Sequence, residues 1–189
     1  MPPMNTFSQP LSRIFGTFLL LIISSGAHAA DPAKTFFGVE LGSRFAIPAC
    51  AANEHSVTQR LCHNTAQTAK TAWGTTDYAV FFPRPDVVPY ARGELNVEVL
   101  NGVIEAIHVS TWGLQAQQPA MDALQGRYGP PTRSRSEKPK NMRARIPVQY
   151  AAWDRADFAV RFTGATTGID WGRITIATPR HQKLKALPD

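Results

Sequence analysis

The first thirty residues decide which part of this chain folds. Arg13 precedes an apolar run over residues 14–23, and small residues then lead to Ala27-His28-Ala29. A positive start, a short apolar stretch and an A-x-A pattern make up a secretory signal peptide. The run is about half the roughly 20 residues needed to cross a hydrocarbon core. It therefore reads as a cleaved leader over residues 1–29 rather than an anchor. No Cys follows the cleavage pattern, so lipid attachment there has no support. Residues 30–189 are then expected to form a single exported domain, periplasmic or secreted. A domain of this size buries roughly 70% of its unfolded surface.

Export bears on the only two cysteines, Cys50 and Cys62. In an oxidising compartment an even pair reads as a disulfide. Bridged Cα atoms lie within about 7 Å, whereas a continuous helix would hold this pair roughly 18 Å apart. The chain must therefore bend between them. Ser56 as N-cap and Gln59 as the returning capping-box residue supply a bend. They start a helix whose stripe is Val57, Leu61, Cys62, Thr65, Ala66, Ala69 and Trp73, with Gly74 as its stop. His55 and His63 stand near both cysteines, so a Cys/His metal site competes with the bridge. The spacing fits no standard zinc finger, and Cys62 and His63 would diverge on a helix. No metal or other cofactor is expected, and without C-x-x-C-H a c-type haem is excluded.

Alternation marks the strands. Residues 36–41 read as a first strand, which Phe45 and Ile47 extend, and residues 78–82 as a short one. Leu95, Val97 and Val99, then Asn101-Gly102, then Val103 to Thr111 give a β-hairpin. Two registers compete. A two-residue turn pairs Leu100 with Val103 and sets Glu98 opposite Glu105, an unfavourable pairing. A three-residue loop pairs Val99 with Val103 and gathers Leu95, Val97, Val99, Val103, Ile107 and Val109 on one face. The second is preferred, although Glu105 then shares the buried face and needs a partner. Pro119 to Tyr128 reads as a helix with Gly129 at C′ and Pro130-Pro131 beyond it. Its inward stripe is Ala120, Met121, Leu124 and Tyr128. Strands follow over residues 148–153, 158–163 and 169–177, with Trp153, Phe158, Phe162 and Trp171 as packing aromatics. The expected architecture is α+β: a largely antiparallel sheet with two helices packed on one face and one disulfide.

Chemistry is harder to find. Net charge is +6, from 20 Lys+Arg against 14 Asp+Glu, with one of those positive charges, Arg13, in the leader. Outside the cytoplasm such an excess favours anionic lipid, glycan or protein over nucleic acid. No serine stands in a nucleophile-elbow pattern and no glycine loop suits phosphate. His108 shares a strand face with Ser110, so a small hydrolase using His108 with Ser110 or a nearby carboxylate is one alternative. Glu98 and Glu105 are the nearest pair of carboxylates for acid–base work. Phe81, Phe82 and Tyr90 flank a proline-rich loop, which gives a second alternative, an inhibitor or assembly factor docking through residues 81–90. The segment 130–147 stands out most. Arg133, Arg135, Lys138, Lys140, Arg143 and Arg145 face a single acid, Glu137, in what reads as a mobile loop. Arg180, His181, Lys183 and Lys185 form a second basic stretch that can join that patch or fray. The sequence thus points to a non-catalytic exported module that contacts an envelope protein or an anionic envelope component through the basic loop.

Overall fold

The computed structural model describes residues 31–51, 60–83, 88–138, 146–166 and 168–186. The leader, the Ser56–Gln59 capping box and residues 139–145 lie outside the described residues. A short hairpin, β1 (Thr35–Phe36) and β2 (Val39–Glu40), precedes an eight-stranded antiparallel sheet. Its strands are β3 (Cys62–Lys70), β4 (Thr76–Phe81), β5 (Ala91–Leu100), β6 (Val103–Thr111), β7 (Arg133–Glu137), β8 (Val148–Asp154), β9 (Ala159–Thr163) and β10 (Gly172–Ala177). The spatial order is β3-β4-β5-β6-β10-β9-β8-β7. Two four-strand meanders are therefore joined along β6 and β10. Helix α1 (Gln117–Tyr128) connects the meanders, and α2 (Pro179–Lys185) follows the second.

Alternation gives this sheet two different faces. Leu95, Val97, Ile107, Val109, Ile174, Ile176, Phe162 and Trp153 are buried in one core with Ala120, Met121, Leu124 and Tyr128 of α1. The β1–β2 hairpin closes this side, with Phe36 and Val39 in the same core. The Tyr128 hydroxyl donates to Ala33 O at 2.9 Å, and Trp153 Nε1 donates to Gly129 O at 2.8 Å. Both large side chains thus bury their rings without leaving a polar atom unpaired. Helix α2 lies on the opposite face, beside His108, Thr175 and Ala177. The expected sheet, α1 and disulfide are present; the second helix is α2, which was not expected and lies on the face opposite α1.

The expected helix from Val57 is the main correction. Residues 62–70 form an edge strand whose side chains are mostly exposed. Its alanines and threonines are spaced for a helix, but an edge strand with no buried face has no period-2 apolar pattern to reveal it. Cys50 and Cys62 are bridged with Cα atoms 4.9 Å apart. The neighbouring bridge Ala49↔His63 brings Cys50 alongside the start of β3. With both sulfurs in the disulfide, a Cys/His metal site there is excluded.

The hairpin takes the two-residue turn. Asn101 (φ 52°) and Gly102 (φ 77°) both adopt positive φ, as a type I′ turn requires. Leu100 pairs with Val103 and Val99 with Ile104, not with Val103. A bulge then shifts the register, so that Glu98 faces Ala106 and Val97 faces Ile107. The bulge removes the like-charge clash that weighed against this turn. It also frees Glu105, which accepts from the Thr178 hydroxyl and lies 3.5 Å from Arg180 Nη1 at the start of α2.

Two further expectations change. Residues 133–137, read as the start of a mobile loop, form edge strand β7 paired with β8. Trp171 is not a core residue. It is 50% exposed and stacks with the Arg92 guanidinium, 3.5 Å from the ring centroid, beside Trp112.

The disulfide closes a loop of 12 residues' separation, for which chain entropy predicts roughly 3 kcal/mol. Replacing Cys50 and Cys62 by Ala should lower stability by about 2–4 kcal/mol in guanidinium unfolding. A loss near zero would show that β3 is held without the bridge.

Candidate functional site

The face opposite α1 carries the polar chemistry. Cross-strand pairing places Arg133, Ala152, Arg161 and Thr175 in one lateral row and Arg135, Tyr150, Thr163 and Arg173 in the next. Paired residues point to the same side of a sheet, so four arginines from β7, β9 and β10 share this surface. Arg135 packs over the Tyr150 ring at 4.5 Å and lies 3.1 Å from Glu137. Arg133 and Arg161 both donate to Asp154, at 2.9 and 2.5 Å. Burial pulls the Asp154 carboxyl up, but the two guanidiniums together outweigh it and hold the group below its ordinary range. Asp154 and Glu137 thus answer only part of the positive charge on this surface. Between β7 and β9 the face dips into an open cleft of about 330 Å³, floored by Tyr150 and Ala152 and edged by Arg133, Arg135 and Arg161.

Of the residues singled out from the sequence, Arg133 and Arg135 lie here, and Lys138 is exposed just beyond β7. Lys140, Arg143 and Arg145 lie outside the described residues. Arg161 and Arg173 complete the surface and were missed. Their signal was available: each is a single charge between apolar neighbours, Val160-Arg161-Phe162 and Gly172-Arg173-Ile174, where a strand exposes one position in two.

The C-terminal basic stretch neither frays nor simply extends the arginine patch. Thr178 caps α2, its hydroxyl accepting from His181 N at 3.2 Å, and Pro179 occupies the first turn. This seats His181 against the sheet, where it is 3% exposed. Beneath α2, Glu98 is the hub. Its Oε1 accepts from His108 Nε2 at 2.8 Å and from Lys185 Nζ at 2.9 Å. Its Oε2 accepts from Thr75 Oγ1 at 2.9 Å and lies 3.0 Å from His181 Nε2. That last approach lacks hydrogen-bond geometry, and His181 Nε2 is buried with no hydrogen-bond partner. His108 Nδ1 meets Thr175 Oγ1 at 3.0 Å. Both ring nitrogens of His108 are therefore engaged, by Glu98 and Thr175, and His108 is not paired with Ser110. Glu98 and Glu105 do not form an acid–base pair either, because each is bonded to its own partners on α2.

Burial raises the Glu98 carboxyl, but the bonds from His108 and Lys185 and the close approach of the His181 ring outweigh it and hold the group far below the usual carboxylate range. Burial holds the His108 imidazole below its ordinary range, against the upward pull of Glu98. A neutral His108 then donates through Nε2–H to the carboxylate and accepts the Thr175 hydroxyl at Nδ1.

The residues that flank the proline-rich loop are packed. Phe82 is buried and stacks on Phe37 at 4.2 Å, Val88 and Tyr90 pack against the core, and residues 84–87 lie outside the described residues. Among the described residues the exposed large apolar side chains are Trp112, Ile146, Ile169 and Trp171.

No protein-family model matches this chain, and neither a curated protein nor a solved structure shows significant similarity to it.

The cluster should make the fold acid-sensitive. In an unfolded chain His takes up its proton near about pH 6.5 and Glu near about pH 4.3. In the fold both groups resist protonation, so the unfolded state binds more protons as pH falls. Their contribution is whole above about pH 6.5 and drains away below it. The thermal midpoint of the wild type should therefore fall between pH 7 and pH 5 more steeply than that of His108→Gln. Parallel pH profiles for the two proteins would contradict this account.

Proposed function

We propose that this protein is an exported, non-catalytic binding module that contacts an envelope protein or an anionic envelope component through the basic face of its sheet. The observation that carries this reading is the pair of lateral rows that sets Arg133, Arg135, Arg161 and Arg173 on one side of β7, β9 and β10. Guanidiniums present a fixed fork of donors that suits phosphate and carboxylate groups. Tyr150 and the apolar cleft floor add a surface on which such a ligand can rest. Arg133 and Arg135 of the basic loop lie on β7, and the surface extends across the sheet to Arg161 and Arg173; Lys140, Arg143 and Arg145 lie outside the described residues.

Export rests on the leader pattern of residues 1–29 and is supported by the Cys50–Cys62 disulfide. No helix among the described residues is long and apolar enough to cross a membrane. Of the hydrolase alternative, Ser110 is not bonded to His108, while the nearby carboxylate is: Glu98 meets His108 Nε2 at 2.8 Å, and the other ring nitrogen is engaged by Thr175. Of the docking alternative's aromatics, Phe82 and Tyr90 pack against the core and Phe81 is half-buried, so little of the described part of residues 81–90 offers an apolar surface.

The test is capture of the oxidised protein on vesicles of phosphatidylglycerol and on an envelope protein extract, each across a salt series. Binding should weaken steeply with salt, because it is carried by exposed charges. A variant with Arg133, Arg135, Arg161 and Arg173 changed to Gln should lose the salt-sensitive fraction on whichever target binds. Its thermal midpoint should move little, because surface ion pairs such as Arg133–Asp154 contribute about 0–1 kcal/mol each. Undiminished capture by this variant would remove the arginine face from the account.

A further inference from the structure

The Glu98 cluster has a feature that the anion-binding face does not use. We propose that Glu98, His108 and His181 form a binding site for one divalent transition-metal ion of the zinc class, with Lys185 standing in for the ion when it is absent.

The three side chains come from β5, β6 and α2, and their ligand atoms all lie within 4.8 Å of one another. Two imidazole nitrogens and one carboxylate make a donor set suited to zinc, and a fourth position is left for water or an anion. Zinc bonds of about 2.0–2.1 Å put neighbouring ligand atoms roughly 3.3 Å apart. Glu98 Oε1 already stands 2.8 Å from His108 Nε2, and Oε2 stands 3.0 Å from His181 Nε2. Only small rotations are needed to admit an ion between them.

Three observations point to a ligand rather than to a completed structural network. His181 Nε2 is buried, faces the carboxylate and makes no hydrogen bond. An unspent donor or acceptor in such a place is costly unless something else occupies it. The other two ligands are held from behind, as metal ligands are. Thr175 Oγ1 meets His108 at Nδ1 and can accept an Nδ1–H when the proton moves there and the Nε2 lone pair turns to an ion, and Thr75 Oγ1 fixes Glu98 Oε2. Thr75 is itself held by Thr71, hydroxyl to hydroxyl at 2.6 Å. Finally, the cluster borders an open cleft of about 390 Å³ lined by His108, His181, Arg161, Arg173 and Thr175. An ion has a way in, and the two arginines can hold an anion near the open coordination position.

Lys185 explains how the site persists without metal. Its Nζ lies 2.9 Å from Glu98 Oε1, and its side chain is 38% exposed in the last turn of α2. The ammonium neutralises Glu98 now and can swing into solvent when a doubly charged ion repels it. Lysine and metal therefore compete for one carboxylate. A purely structural cluster has no such relation: there Lys185 is only a stabilising partner.

That competition gives the test its sign. The full oxidised protein, stripped with chelator, is titrated with ZnCl₂ by calorimetry alongside His108→Gln, His181→Gln, Lys185→Gln and His63→Gln. The wild type should take up one Zn²⁺ per chain. His108→Gln and His181→Gln should each weaken binding tenfold or more, and His63→Gln should leave it unchanged. Lys185→Gln should tighten binding at least threefold while lowering the metal-free thermal midpoint. Circular dichroism identifies any histidine variant that fails to fold. Lys185→Gln keeps all three ligands and so decides the matter in that event. Absence of saturable binding in both the wild type and Lys185→Gln would overturn the proposal. So would binding that survives loss of His108 and His181 in folded variants, or a Lys185→Gln affinity no higher than that of the wild type.

Discussion

The ladder between β6 and β10 is the constraint on which this molecule depends. It joins two four-strand meanders into one sheet with a shared apolar face. Its register sets Ile107 against Ile176 and Val109 against Ile174 on one side, and His108 against Thr175 on the other. A slip of one residue would exchange the two faces. The contacts at the strand start are tight as well. A Cβ on Gly172 would come within 2.6 Å of Gly164 O and closer still to the Thr111 hydroxyl, so only glycine lets β10 begin where it does.

From that ladder the division of labour follows. One face is filled by α1, the β1–β2 hairpin and the aliphatic side chains of both meanders. The other is left polar, with α2 clamped at one end by Glu98 and Glu105 and the arginine rows at the other. The edges are managed differently from the centre. Strands β3 and β7 are both polar and largely exposed, as edge strands must be to avoid pairing with another chain. On β7 the same arginines that blunt the edge also face the cleft.

Legibility in the sequence tracks burial. Helix α1 was readable because Pro119, Gly129 and Pro130-Pro131 punctuate it, and β5, β6, β8 and β9 because apolar residues alternate along them. Strand β7 (Arg-Ser-Arg-Ser-Glu) was not, since no position in it is buried. Strand β3, buried only at Cys62, has no alternation to show either and borrowed a helical spacing from its small residues. Thr178 and Pro179, the cap and first turn of α2, are a helix start in the sequence that went unused. The Asn101-Gly102 turn was visible as well. What sequence could not supply was the bulge at Glu105, which depends on partners 73 and 75 residues away. The Glu98–His108–His181 cluster was beyond sequence reasoning for the same reason. His181 is placed beside Glu98 only by the β6–β10 pairing and by the cap that aims α2 across it.

The most direct test of this two-faced sheet is a nuclear magnetic resonance map of arginine side chains in the oxidised protein as inorganic tripolyphosphate is added. The account predicts that the Nε–Hε signals of Arg133, Arg135, Arg161 and Arg173 shift together and saturate at one concentration, while Arg44 and Arg127 stay still. Shifts spread evenly over all arginines, or absent from β9 and β10, would contradict it.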